Sequence, residues 1–366
     1  MKVPQFQPSL GEREYAAIKD CFDQNWITEG PKAKEFMEKL LKLTGAKYGV
    51  FAPNGTLALY LGLRAVDIGP GDEVIVPDFT FYATASSVAM TGATPIFADV
   101  NKDNFQIDVS KCKELITPRT KAIMPVDIYG MSANMDAVVS FAKDRGLKIV
   151  EDAAQALGVK YKGVHAGTRG EIGCFSFFAD KTITTGEGGM IVTNGKELYE
   201  KLLYLRNQGR IDRGSFIHPQ IGYNFRMTDI QLAIGIVQLE RLPEIVSKKK
   251  AIYDRYIGHL RDIDALRFIK VEEGTDPYIP FRVAIIDRSG RAHKLMEHMK
   301  KNEIETRTFF YPMHLQPAFK HMNWDDSKFE GSNYGYNNGI CLPSFVDLRE
   351  DQIDHVCGVI KEFYNS

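Results

Sequence analysis

The sequence predicts an α/β protein: a mostly parallel central sheet in a large domain, followed by a smaller α+β domain at the C-terminal end. Two observations carry this expectation. Between about residues 45 and 200, short apolar runs alternate with amphipathic stretches, the pattern of parallel strands joined through helices. Beyond about residue 245 the alternation gives way to a long helical stretch, a strand and further helices. At 366 residues the chain also exceeds the usual size of one domain. The expected division is therefore 1–245 for the large domain and 246–366 for the small one.

Taken in order, the first strand is expected at Tyr48–Ala52, followed by Asn54-Gly55-Thr56 where the chain turns into a helix with Leu57, Leu61 and Leu63 on its apolar side. Gly69-Pro70-Gly71-Asp72 is a turn, because proline fixes one backbone angle and glycine permits the unusual one. Further strands are expected at Glu73–Val76, Pro95–Val100, Lys121–Val126, Leu147–Val150, Cys174–Phe178 and Met190–Thr193. A helix starts at Thr228, where Thr228 and Gln231 fit a capping box and Ile230, Ile234, Leu239 and Leu242 continue at helical spacing. In the last third, Lys248-Lys249-Lys250 opens a long helical stretch, Tyr278–Ile286 is a strand, and His293–Lys301 and Gln352–Phe363 are helices. There is no internal repeat and no long linker, so the two domains are expected to pack closely around a cleft.

Composition narrows the function. The 46 basic and 47 acidic residues nearly cancel, leaving no electrostatic footprint for nucleic acid or an anionic membrane. Of the five cysteines none is paired at C-x-x-C spacing, so neither a metal site nor a disulfide framework is expected. The opening MKVPQFQPSLGEREY has no apolar signal region, and no apolar run is long enough to span a bilayer. A cytoplasmic protein acting on a small molecule is the expectation.

The segment FSFFADKTITTGEGGMIVTN, from Phe175 to Asn194, puts Lys181 between an apolar run and a glycine-rich turn. A Walker loop would need its glycines before the lysine, whereas Gly186, Gly188 and Gly189 follow it. No G-x-G-x-x-G follows the first strand, which argues against a dinucleotide fold. A covalent lysine is the remaining chemical reading, and a pyridoxal phosphate enzyme would ask four partners of it: a carboxylate for the ring nitrogen, an aromatic to stack on the ring, a helix start for the phosphate, and a hydroxyl. Asp152, just past an apolar run, is placed for the first role, or equally to cap the next helix. Phe81, in DFTFYATA, is a stacking candidate or a core aromatic. Gly55 and Thr56 offer amides at a helix start, as any strand-to-helix turn does, and Ser176 offers a hydroxyl on the same side of its strand as Phe178.

Seven segments in order, NGTLALYLGLRA, GPGDEVIVPDFTFYATASSV, GATPIFADV, ITPRTKAIMPVDIYG, IVEDAAQALG, FSFFADKTITTGEGGMIVTN and GYNFRMTDIQLAIG, resemble the DegT/DnrJ/EryC1/StrS family of pyridoxal-phosphate sugar aminotransferases. The resemblance covers nearly the whole chain. It implies an aspartate aminotransferase-like architecture, fold type I of the pyridoxal phosphate enzymes. It makes Lys181 the Schiff-base lysine and proton shuttle, Asp152 the partner of the pyridine nitrogen and Gln155 a contact to the ring oxygen. Phe81 then stacks on the ring, and Gly55, Thr56 and Ser176 bind the phosphate. Asn224 of GYNFRMT would reach the phosphate of a neighbouring subunit, implying a homodimer; the local alternative is a turn residue before Thr228. Arg226 nearby, Glu187 six residues after the lysine, and His314 in FYPMHLQP become substrate contacts, each with a plain surface or core alternative.

Within the family, KTITTGEGGM resembles the GDP-perosamine synthases, which aminate C4 of GDP-4-keto-6-deoxymannose with glutamate. Asp127 stands in MPVDIYG where those enzymes commonly have a histidine, and, if it faces the substrate, would read a different sugar hydroxyl or repel a negative charge. PYIPFRVAII lacks their aromatic pair near the sugar. The implied reaction is a two-stroke transfer, L-glutamate giving up its amino group before a nucleotide-linked keto sugar takes it. Lys181 needs a neutral amine for part of the cycle, which burial favours. The alternatives are C3 amination of a dTDP- or UDP-keto sugar, a sugar dehydratase, whose members carry histidine at the lysine position, and a sugar-binding protein without turnover.

Overall fold

The computed structural model describes residues 1–210, 214 and 216–365. Thirteen strands lie among them: β1 (Tyr48–Ala52), β2 (Glu73–Pro77), β3 (Thr94–Ala98), β4 (Thr120–Ile123), β5 (Lys148–Asp152), β6 (Lys160–Tyr161), β7 (Val164–His165), β8 (Ile172–Ser176), β9 (Gly189–Thr193), β10 (Leu266–Phe268), β11 (Val283–Asp287), β12 (Arg307–Thr308) and β13 (Gly339–Leu342). Seven form the large sheet in the order β1-β9-β8-β5-β4-β2-β3. Its pairs are parallel from β8 to β3, while β9 is antiparallel to both β8 and β1. The sheet is mixed and mostly parallel, as expected for an α/β protein. A second sheet, β10-β11-β13-β12, is antiparallel throughout, and β6 with β7 makes a small hairpin.

Parallel strands buried on both faces read as continuous apolar runs rather than alternating ones, and β2 (EVIVP) is buried at all five positions. The helix Gly55–Ala65 packs across the sheet through Ala58, Leu59, Leu61 and Leu63, all buried in one core with Val74, Val150 and Ile191. The helix Asp229–Glu240 begins at the expected capping box of Thr228 and Gln231. Around the antiparallel sheet, the C-terminal helix Glu350–Asn365 buries Ile353, Val356, Val359 and Ile360 against Val283, Ile285 and Leu342.

Several boundaries differ from the sequence expectation. The helix expected to open at Lys248 starts earlier, at Leu242, because Pro243 sits in its first turn, where a missing N–H costs nothing. The strand expected from Tyr278 begins only at Val283. The strand expected at Cys174–Phe178 ends at Ser176, so Phe178 lies beyond it and donates its N–H to Ser176 Oγ at 3.3 Å instead of sharing a strand face with it.

The first residues join the second sheet's side of the molecule. Val3 bridges Ile304 in parallel, and Gln5 accepts the N–H of Ser344 through its carbonyl at 3.2 Å. Among the described residues no helix is long and apolar enough to cross a membrane.

Candidate active site

Carboxyl ends of parallel strands are where open α/β sheets present groups to a ligand, and here β1, β5 and β8 end side by side with the start of β9. Ala52 and Ser176 both pair with Gly189, and Asp152 pairs with Cys174. A Cβ on Gly189 would lie 2.4 Å from the carbonyl oxygen of Asn54, and one on Gly55 would lie 2.9 Å from Cβ of Ser176. Glycine is required at both positions by close approach. The result is a tight cradle in which the helix start at Gly55 and Thr56 adjoins the Ser176 hydroxyl. Asn54 caps that helix by accepting the N–H of Leu57 at 2.9 Å, leaving the two preceding amides for an anion.

Lys181 is set by a loop that holds itself. Its N–H donates to Phe178 O at 3.0 Å, Thr185 N and the Thr184 hydroxyl both donate to Phe177 O, the Thr184 hydroxyl accepts from Gly186 N, the Thr185 hydroxyl donates to Glu187 O, and Phe177 N donates to Gly188 O. Two of the threonines in TITTGEGG, Thr184 and Thr185, thus serve the turn, and Gly186, at φ +80°, completes it. The lysine side chain is 16% exposed. Burial lowers its proton affinity and nearby Arg282 adds to that, while the charges of Asp180 and Asp152 act against it. Its Nζ lies 3.9 Å from Asp180 Oδ1 and 4.7 Å from the centre of the Phe281 ring.

Asp152, the last residue of β5, is buried. Its Oδ2 accepts from Thr84 Oγ1 at 2.7 Å, Thr84 in turn shares a 2.8 Å bond with Thr80, and its Oδ1 accepts from Ala154 N at 3.2 Å. Burial raises its pKa, opposed by the Thr84 hydroxyl, the Ala154 N–H and the charge of Lys181. Gln155 gives its Oε1 to the N–H of Tyr129 at 2.8 Å, which pins a buried residue at φ 56° and leaves the Gln155 amide for a ligand. Phe81, 59% exposed, stands at the mouth just before the helix Tyr82–Met90, edge-on to Phe310 at 6.4 Å.

Lys181, Asp152, Gln155, Gly55, Thr56 and Ser176 are therefore brought to one edge of the sheet, with Phe81 at its rim. Glu187 is exposed on the Lys181 loop, its pKa raised by partial burial. Asn224 is exposed on a separate loop, its Oδ1 taken by Arg226 Nε at 2.7 Å. Two expected substrate contacts lie differently. His314 has both ring nitrogens engaged, with Asp78 Oδ2 and Asp326 Oδ1, each at 2.8 Å, and stacks on Phe329 at 4.0 Å. Burial pulls its pKa down, but the two carboxylates outweigh it and the net direction is up. Asp127 is also enclosed: its Oδ1 accepts from Ala133 N at 2.9 Å, its Oδ2 has no protein partner, and burial beside Glu151 and Asp152 drives its pKa well up. At 2% exposure, Asp127 lies within the protein rather than on an open face of the site.

Thr84, Asp180 and Arg282 escape a reading of the sequence. Thr84 reaches across 68 residues to Asp152, and Arg282 across 102 to Asp180. The i, i+4 spacing of Thr80 and Thr84 is the one local signal, and it says nothing of the acid.

A buried lysine, an enclosed carboxylate at a neighbouring strand end and an anion cradle at a helix start are the equipment of a pyridoxal-phosphate-dependent aminotransferase. The model of the DegT/DnrJ/EryC1/StrS aminotransferase family matches residues 8–361, and the chain belongs to that family. It is 40% identical over 370 residues to GDP-perosamine synthase of Escherichia coli O157:H7 and 36% identical over 366 residues to GDP-perosamine synthase of Vibrio cholerae, covering 99% of both chains in each case. Spr1654 of Streptococcus pneumoniae in its PLP form superposes with a TM-score of 0.95 at 28% identity, covering 100% of this chain and 99% of that one. Pyridoxal phosphate is the cofactor of this family, and the residues described fit it: Asp152 has spare acceptor capacity, the Lys181 side chain is largely enclosed, and the Ser176 hydroxyl adjoins the helix start at Gly55.

Proposed function

We propose that this protein transfers the amino group of L-glutamate to C4 of a nucleotide-linked 4-keto-6-deoxy sugar, with GDP-4-keto-6-deoxymannose as substrate, in the supply of amino sugars for surface polysaccharide. The observation that carries this is the end-to-end likeness to two GDP-perosamine synthases at 40% and 36% identity. The cofactor, when bound, supplies an electron-accepting ring that eases loss of a proton from carbon next to nitrogen.

In this reading Lys181 is the residue bonded to the cofactor, and its free amine carries the proton in both strokes. A lowered proton affinity leaves more of that amine neutral and so available to take the proton, and one lysine on one face serves donor and acceptor alike. Asp152, held by Thr84, keeps the ring nitrogen protonated through a charge-assisted hydrogen bond. Gly55, Thr56 and Ser176 hold the phosphate, Gln155 uses its spare amide on the ring oxygen, and Phe81 covers the ring. Glu187 and Arg226 contact the sugar nucleotide. His314 and Asp127, enclosed by protein, support the walls rather than touch it.

The reading includes a homodimer in which Asn224 reaches the neighbour's phosphate. Exposed Phe216, Ile217 and Ile221 beside Asn224 support it, since a second copy would cover them. It also treats 1–245 as the cofactor-binding domain and 246–366 as the small domain, in a cytoplasmic enzyme.

The test is turnover with L-glutamate and GDP-, dTDP- or UDP-linked 4-keto-6-deoxy sugars, with 2-oxoglutarate release and product mass and NMR as readouts. The GDP sugar is expected to lead in kcat/KM by about 100-fold or more, aminated at C4. A preference for another nucleotide, or amination at C3, refutes the reading. Light scattering at the mass of a single chain refutes the dimer.

A further inference from the structure

Behind Lys181 lies a polar cluster that none of the assigned roles uses. Asp180, its sequence neighbour, has a side chain only 10% exposed. One oxygen, Oδ2, is bonded by Arg282 Nη2. The other, Oδ1, is buried without any hydrogen-bond partner and is the atom 3.9 Å from Lys181 Nζ. Arg282 is itself enclosed: its Nη1 donates to Gln5 Oε1 at 3.1 Å, and its guanidinium lies over the Phe281 ring at 4.7 Å. The carboxylate is thus fixed from behind and presents one unsatisfied oxygen toward the lysine. An unsatisfied buried acceptor is costly and calls for a partner.

We propose that Asp180 is a positioning residue: its free Oδ1 receives the Lys181 amine, as an ammonium, once that released amine has taken up a proton. This rests on the reading of Lys181 as the covalent lysine. A small turn of the lysine side chain closes 3.9 Å to hydrogen-bond distance, and the pair then meets the orphaned acceptor and gives the amine a defined place between the two strokes. Asp180 and Asp152 favour the protonated amine; burial and Arg282 disfavour it. Arg282 therefore has two opposed effects, holding Asp180 in place and limiting how strongly it binds the proton. That balance leaves the ammonium able to release its proton again.

The experiment measures the pH midpoint of Lys181 acylation by acetic anhydride in the full-length cofactor-free protein, read by peptide mass spectrometry. Asp180→Asn should lower the midpoint by about one to three pH units, and Asp180→Glu should restore most of it. An unmoved midpoint in Asp180→Asn overturns the proposal; should that variant not fold, an unmoved midpoint in Asp180→Ser overturns it instead. In the holoenzyme, Asp180→Asn should reduce kcat with little change in the KM for glutamate. Borohydride reduction of wild-type holoenzyme followed by peptide mapping tests the parent reading separately, because cofactor fixed anywhere but Lys181 defeats that reading whatever the acylation midpoint does.

Discussion

His165 should make this protein acid-labile in a way that can be isolated from every other titration. The imidazole is buried in the hairpin that follows the Asp152–Gln155 segment, and both nitrogens are committed: Nδ1 donates to Ala166 O at 2.6 Å and Nε2 accepts the N–H of Gly158 at 2.9 Å. A proton added at Nε2 would face an N–H donor. Burial accordingly moves the pKa from 6.5 down to about 4, with the Ala166 carbonyl working against the shift. The unfolded chain takes up the proton below about pH 6.5 while the folded chain does so only near 4, so the contribution is fully present above 6.5 and is lost as pH falls toward 4. The full displacement is worth about 3 kcal/mol, of which about 2 kcal/mol is lost between roughly pH 7.5 and pH 5. Asp78, Asp127 and Glu151 have pKa values raised by burial and act in the opposite sense, so the comparison must be with a variant. Urea denaturation of cofactor-free wild type and His165→Gln at both pH values supplies it. Wild type should lose about 2 kcal/mol more than the variant on acidification. Curves that fall in parallel refute the reasoning.

Three other outcomes are expected. Glu151 accepts the N–H groups of Gly167 at 2.9 Å, Arg169 at 2.6 Å and Gly170 at 2.5 Å, so Glu151→Gln turns an amide donor toward at least one buried N–H and should cost about 3 kcal/mol in urea denaturation. Lys181→Ala should fold normally by circular dichroism and lose amino transfer by at least about 1,000-fold, since nucleophile and proton carrier vanish together; rapid turnover would sink the assignment. Asp152→Asn should slow the release of 2-oxoglutarate from glutamate by about 100-fold or more in single-turnover assays while leaving Thr84 a partner, through loss of the charge that stabilises a protonated ring nitrogen.

The parallel half of the fold was legible because its signals are local. β1 lies at the expected Tyr48–Ala52, and β2, β4, β5 and β9 lie within a few residues of their apolar runs. β10 and β12, three and two residues long, carry no periodicity of their own and exist because β11 and β13 pair with them. The same division holds at the site. Lys181, Asp152 and the Asn54-Gly55-Thr56 turn were visible because a charged or small residue at the end of an apolar run is a local event. The partners that tune them were not, since the bond from Thr84 to Asp152 and that from Arg282 to Asp180 depend on which strand ends the sheet order brings together. His314 and Asp127 show the converse: suggestive sequence context, but side chains drawn into the protein by Asp78, Asp326 and Ala133.

The first few residues have a consequence for how the enzyme comes into being on the ribosome. Gln5 meets Arg282 across 277 positions, and Val3 and Gln5 reach Ile304 and Ser344. Lys181 and its sheet emerge early in synthesis, yet the arginine that anchors Asp180, and the strap that steadies that arginine, cannot come together until the small antiparallel sheet has been made. A chain that stops short of Arg282 has the lysine without the arginine that anchors its neighbouring carboxylate.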